Sequence, residues 1–446
     1  MPKLASYDPS NGELLGEVEI TAIAQIGAIV DNAQAASKEW RKLAISERVE
    51  LLERAYAQLE PHLDELAVLL SREMGKDIRR ATGEVSGTAY GGSHLAQSAM
   101  AALKSSDLGS GTRIDYKPLG VAAVISPWNY PLAMANNLIV PALVAGNAVV
   151  FKPSEETPLI ARAFVELLNK VLPQDLLQIV YGDGEQGRAL VESNVNIIAF
   201  TGSQATGKQI MAAAAGELKR LVMELGGNDP LIVMQDADIE NAARFAVGCS
   251  FENAGQMCVA TERVYVDERV ADKFEQRVVE LASAYKVGPW DMPGVNIGPI
   301  INAGQHGKIV EHIRDAEAKG ARLLLGGSEQ EKPYIKPTVI ADMTPEMLME
   351  QTETFGPVVA ISRYADIEEA IRRANDSTYG LGAVVYGDKG VDAVAEQLEA
   401  GMIGVNQGVG GAGDAPWVGA KQSGFGFHGS PEGHRQFAQV RVVSRQ

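Results

Sequence analysis

Apolar positions change their spacing along the chain. From residue 21 to about residue 103 they recur every three or four places. Leu51, Ala55 and Leu59 make one stripe and Leu63, Leu66, Ala67 and Leu70 another, so the stretch reads as helical. Thr21 stands where an N-cap for the first helix is expected. "SSDLGSGTRIDYKPLG" breaks the pattern with a Gly-rich turn between short alternating segments, which predicts a hairpin over 106–120 that leaves the main body. Beyond it, short apolar runs ("VAAVIS", "AVVFK", "LLQIVY", "NIIAFT", "RLVMEL", "LIVM") alternate with helical stretches such as 158–170 and 204–215. A second series follows, with "RVYV", "RLLL", "PTVI", "VVAIS", "AVVY" and "MIGVN" as strands and helices near 270–284, 305–319, 367–375 and 391–400. Two α/β domains built on parallel sheets are expected.

A chain of 446 residues exceeds one ordinary hydrophobic core, in keeping with that division. With 46% apolar and 22% charged residues the composition is that of a globular protein, and no apolar run reaches the length of a membrane span. The net charge of −17, without basic clusters, argues against nucleic acid and anionic membranes as partners. Cys249 and Cys258 are the only cysteines, and nothing near them has metal-ligand spacing, so neither a disulfide framework nor a metal site is expected. "MPKLASYDPSNGELLG" has no apolar signal core, and the expected location is cytoplasmic.

Two nucleotide signals compete. "GSQATGKQI" (residues 202–210) nearly spells the phosphate loop of triphosphatases, but Gln209 stands where a magnesium-holding hydroxyl is required. What survives is Gly202 and Ser203 at a strand-to-helix junction, where free N–H groups favour a phosphate; a plain turn reads equally well. "YGDGEQG" completes a Gly-x-Gly-x-x-Gly through Gly182, Gly184 and Gly187. The acidic residue that should follow about 20 positions later is replaced by "FTGS", so a glycine-rich surface turn explains it as well.

Other stretches decide between them. "PWNYP", "FKPSEETP", "MELGGNDP", "NAGQMC" and "ETFGPV", with "NDSTYGLGA" and "KQSGFG" after them, resemble in order and spacing the aldehyde dehydrogenase superfamily over nearly the whole chain. The resemblance implies a variant Rossmann cofactor domain (1–105 and 121–223), a second α/β catalytic domain (224–412), and oligomerisation segments at 106–120 and 413–446. It further implies that Gly202 and Ser203 contact a dinucleotide pyrophosphate while Lys208 is solvated.

Oxidation of an aldehyde by hydride transfer needs a tetrahedral alkoxide, and a thiolate adding to the carbonyl supplies one. Cys258 falls at the family's nucleophile, whereas Cys249 reads as a buried small residue. Asn129 matches the amide donor to the oxyanion, beside the Cys258 backbone N–H, and Glu224 matches the base that activates water against the thioester. The presence of Glu224 favours hydrolysis over acyl transfer to coenzyme A. Glu353 and Phe355 match the ribose carboxylate and the aromatic near the nicotinamide, and Trp128, Gly184, Gly187 and Leu225 are further cofactor candidates. Lys152 and Glu155 would hold the adenine ribose. Glu155 repels a 2′-phosphate and favours NAD, while Lys152 and Ser154 could receive that phosphate and admit NADP.

Tyr130, Met134, Asn137, Met257 and Trp417 are the expected substrate pocket, mostly apolar and without an arginine among them, which favours a medium-sized apolar or aromatic aldehyde. A succinate-semialdehyde or lactaldehyde type is the alternative; a P-loop phosphotransferase and a non-catalytic relative are the more distant rivals. "PWVGAK" departs from the family's Pro-Phe-Gly-Gly stretch by placing Trp417 as a bulky wall, and His428 reads as a surface histidine. The hairpin and the terminal "QVRVVS" are expected to pair across subunits of a homodimer or homotetramer.

Overall fold

The computed structural model describes residues 2–446 and contains two parallel α/β sheets. The first has six strands in the order Gly424–Phe425, Arg220–Leu225, Ile197–Gly202, Val121–Ile125, Ala148–Lys152 and Leu177–Ile179. All neighbours run parallel except the first pair. Val121–Ile125 and Ala148–Lys152 are buried at every position, as continuous apolar runs covered by helices on both faces should be. The second sheet has seven strands in the order Arg322–Leu325, Thr338–Ala341, Val358–Tyr364, Thr261–Asp267, Asp229–Val233, Gly382–Tyr386 and Met402–Val405, with only Arg322–Leu325 antiparallel. The chain crosses from one sheet to the other between Leu225 and Asp229, and comes back at Gly424.

The helical first quarter resolves into Ile23–Trp40, Ile45–Tyr56, Leu63–Met74 and Ile78–Ala102. Thr21 is not the cap of the first helix. Ala22 holds that position, and the Thr21 hydroxyl instead accepts from the Tyr181 backbone N–H at 3.0 Å, tying the helix entrance to the glycine-rich turn. The helix expected over 391–400 stops at Ala395, because Gln397 and Leu398 tighten into i→i+3 turns.

The hairpin expected over 106–120 is present as Ser106–Gly109 and Thr112–Pro118. Its pairing differs from expectation. The terminal strand Ala438–Ser444 lies antiparallel on Thr112–Pro118 of the same chain, from Ala438 opposite Pro118 to Ser444 opposite Thr112, giving a three-stranded sheet within one subunit. The reason lies in Asp115, which takes Arg113 and Arg441 from the two strands on one face. Among the described residues no helix is long and apolar enough to cross a membrane.

Candidate active site

At the carboxyl ends of the first sheet's strands lies a cavity of about 910 Å³, the crevice such sheets offer to ligands. Trp128, Lys152, Ser154, Glu155, Gly184, Gly187, Gly202 and Ser203 line it together. Two helices start at its wall. Asp183 caps Gly184–Glu192 with its own carboxylate, and Ser203 caps Gln204–Ala214 by accepting from the Thr206 N–H at 3.3 Å. With a neutral cap, the second start is the one that suits a phosphate. Lys152 is buried at the end of its strand with Nζ 3.4 Å from Glu155 Oε2; burial draws its ammonium down, and Glu155 pulls it back up. Val191 and Ile210 add apolar walls for a flat base. Volume, buried cation and helix start fit a dinucleotide. Lys208 is exposed, as expected, while Gln209 faces the cavity.

Trp128, Thr201, Gly202 and Ser203 also line a second cavity of about 510 Å³. Cys258, Glu224 and Asn129 meet there with Leu225, Glu353, Phe355, Tyr130, Met134, Met257 and Trp417. Leu225, Glu353 and Phe355 thus sit in the smaller cavity, and Phe355 packs edge-on to Trp128 with ring centroids 5.6 Å apart, at the junction of the two.

Asn137 is the exception. It lines a separate cavity of about 490 Å³ with Arg79 and Arg80, because Tyr130 and Glu252, which border both spaces, stand between it and Cys258. His428 is not on the surface. It is buried against Trp417, since the strand Phe427–His428 pairs with Trp417–Val418 and turns its ring inward; burial lowers its imidazole to about 4.

Local geometry explains how Cys258 is placed in the cavity. Asn253, Ala254 and Gly255 have consecutive positive φ values of 51°, 59° and 74°, a left-handed turn that presents Cys258. A side chain at Gly255 would run into the Gly356–Pro357 backbone, so this turn and "ETFGPV" touch main chain to main chain. Asn129 is fixed from both ends: its Nδ2 donates to the Gln256 carbonyl at 2.9 Å, and its own carbonyl accepts from Lys76 Nζ at 2.8 Å and Asn253 Nδ2 at 3.2 Å. Glu262 takes the Thr354 and Phe355 N–H groups at 2.5 and 2.7 Å and so holds the turn bearing Glu353 and Phe355. Lys76, Gln256 and Glu262 escaped the sequence reading. Gln256 lies inside "NAGQMC", whereas Lys76 sits in the short link between two helices and Glu262 in an ordinary strand, where nothing in the pattern marks them.

Burial pushes the Glu224 carboxyl up to about 7, against the pull of the Cys258 thiol, the Trp417 indole and the Thr201 hydroxyl. The Cys258 thiol is raised by burial and then by Glu224 beside it, so the two groups disfavour simultaneous ionisation. Glu353 is raised by burial and by Glu262, with Lys308 opposing. Arg80 is engaged by carboxylates: it donates to both Glu252 oxygens at 2.6 and 2.8 Å and to Asp77 at 2.6 Å.

A crevice that fits a dinucleotide and opens onto a second cavity holding a cysteine, an amide and a carboxylate is the arrangement of a nicotinamide-dependent oxidoreductase. The chain belongs to the aldehyde dehydrogenase family, whose model matches residues 2–443, and is an NAD(P)-dependent aldehyde dehydrogenase. It is 37% identical over 453 residues to a probable succinate-semialdehyde dehydrogenase [NADP(+)] of Sinorhizobium fredii, covering 99% of this chain and 92% of that one. It is 36% identical over 448 residues to glutarate-semialdehyde dehydrogenase of Pseudomonas putida, covering 98% and 93%. The crystal structure of succinate-semialdehyde dehydrogenase from Burkholderia pseudomallei superposes with a TM-score of 0.95 at 37% identity, covering 99% and 94%.

Proposed function

We propose that this enzyme oxidises a short semialdehyde to the acid through a thiohemiacetal and a thioester on Cys258. The observation that carries the reading is that Cys258, Asn129 and Glu224 share one cavity that continues into the cofactor crevice. The Cys258 thiol gives up its proton to solvent water, the Sγ thiolate bonds to the carbonyl carbon, and the C=O electron pair moves to the oxygen, which takes the negative charge. The second Asn129 amide hydrogen, left free by the bond to Gln256, and the Cys258 N–H face that charge. When bound, the cofactor would supply the hydride acceptor through which that carbon is oxidised from the thiohemiacetal to the thioester. Glu224 then removes a proton from water as it attacks the thioester, the C–S bond breaks, and the acid leaves. Lys152, Ser154 and Glu155 would hold the adenosine end of the cofactor, Gly202 and Ser203 the pyrophosphate, and Glu353 the nicotinamide ribose.

Support for a semialdehyde comes from the relatives named above, which outweigh the apolar or aromatic aldehyde suggested by Tyr130, Met134 and Met257. One observation keeps an uncharged aldehyde as a second reading: Arg80 is already committed to Glu252 and Asp77. NAD is the favoured cofactor, with NADP accepted, since Lys152 and Ser154 remain beside Glu155. Succinate semialdehyde, glutarate semialdehyde, propionaldehyde and benzaldehyde assayed with each cofactor separate the substrate readings.

The mechanism is tested by Glu224→Gln. Mixed with succinate semialdehyde and NAD, the variant should release up to one equivalent of NADH per site in a burst, then turn over about 10²- to 10⁴-fold more slowly than wild type. Mass spectrometry should find the acyl group on the Cys258 peptide. Near-normal turnover, or a folded, cofactor-binding variant without a burst, overturns the hydrolytic role.

A further inference from the structure

Glu224 is gripped by a segment from the far end of the chain. Gly424 lies directly opposite Glu224 in the antiparallel pair that closes the first sheet. Ser423 Oγ donates to the Gly226 carbonyl at 2.7 Å and accepts from the Gly380 N–H at 2.9 Å, pinning the backbone just past the carboxylate. The same segment brings in a side chain. Trp417 Nε1 donates to Glu224 Oε1 at 3.4 Å, while Glu224 Oε2 is buried without a partner. Behind the indole, the His428 ring lies within 14° of parallel at 6.3 Å between centroids.

We propose that Trp417 is a positioning residue for Glu224: its indole N–H holds one carboxylate oxygen, steadying the ionised base and leaving the other oxygen free for the hydrolytic water. The inference rests on the reading of Glu224 as that base. Its force comes from the order of events. In the resting site the Cys258 thiol also favours an ionised Glu224. Once Cys258 is a thioester it has no proton to give, and the base is needed at that moment. Trp417 and the Thr201 hydroxyl are the neutral donors left beside it. The titratable and charged groups around the pair are Cys258 and Glu353, with Asp229 and Glu262 behind them, Lys308 beyond Glu353, Glu252 and Tyr130 across the cavity, and His428, which burial keeps neutral. None of these replaces the indole as a donor to Oε1. A merely bulky wall would shape the pocket and leave the titration of Glu224 alone.

The test follows deacylation directly. Enzyme is mixed with NAD and either succinate semialdehyde or propionaldehyde, and loss of the acyl group from Cys258 is timed by quenched mass spectrometry between about pH 5.5 and 9. Removing the N–H raises the base's pKa, so in Trp417→Phe the acidic limb should move up by about 0.5–1 unit, and deacylation near pH 6.5 should fall about 3- to 8-fold. Cofactor affinity should stay close to wild type, and at saturating aldehyde the NADH burst should keep its amplitude of up to one equivalent per site. Trp417→His, which restores an N–H donor, should recover part of the shift. Trp417→Leu repeats the measurement if the phenylalanine variant does not fold. A change in KM with the limb unmoved overturns the proposal and leaves Trp417 a wall. If Glu224→Gln deacylates like wild type, the assignment of the base has failed instead.

Discussion

The proposed preference for NAD over NADP turns on two facing charges. Lys152 and Glu155 face each other across 3.4 Å, with the lysine buried and the glutamate about half exposed. A 2′-hydroxyl can donate to Glu155, whereas a 2′-phosphate meets its negative charge before it can reach Lys152 and Ser154. Glu155→Gln should therefore raise the NADP-to-NAD ratio of kcat/KM by about 10-fold, a shift of about 1.4 kcal/mol in relative transition-state binding. An unchanged ratio removes Glu155 from discrimination. Both residues were legible in the sequence because they sit inside "FKPSEETP", at the end of an apolar strand. Asn137 was misplaced for the opposite reason. It is three residues from Met134 on the helix Pro131–Val144, and the walls formed by Tyr130, the residue that caps this helix, and by Glu252, brought in from elsewhere in the chain, assign it to another cavity. Lys76 was invisible for a related reason, since its bond to the Asn129 carbonyl joins residues 53 positions apart.

Strands and helices with strong periodicity needed no tertiary information, and Ile367–Asn375 falls where its pattern puts it. What the pattern could not give is the return of the last segment to the first sheet. Gly424–Phe425 is two residues long and carries no alternation, so its place is set by contact with Arg220–Leu225 alone. The contact demands glycine. Gly424 has φ 118°, and a Cβ there would overlap the Met223 carbonyl. Gly424→Ala should destabilise the fold by about 2 kcal/mol in denaturant unfolding, from the strained φ and the lost strand pair. It should also slow deacylation more than NADH release in the burst, because the displaced strand lies opposite Glu224. Wild-type stability in that variant contradicts the close approach.

For the molecule as a whole, the three-stranded sheet carries the expectation of assembly. Strand alternation sorts its residues into two faces. Arg113, Asp115 and Arg441 share one face, and the ion pairs among them leave it content in water. On the other face Ile114 lies opposite Val442 and Tyr116 opposite Val440, with Val440 and Val442 48% and 62% exposed. Leu108, on the neighbouring strand, is 63% exposed. Apolar side chains gathered on one face of a narrow sheet are costly to leave wet, and a second copy of this chain is a surface of known composition that can cover them. The pairing of the hairpin with the terminal strand inside one subunit strengthens this argument, since the sheet arrives as a preformed unit and needs no exchange of strands. Light scattering at micromolar concentration should therefore give a dimer or tetramer. The double variant Val440→Asp/Val442→Asp puts two charges on that face without touching either cavity. It should shift the mass toward smaller species and make the apparent Tm fall on dilution. A wild-type protein that runs as a stable monomer, or a double variant whose mass is unchanged, would show that this face does not drive assembly.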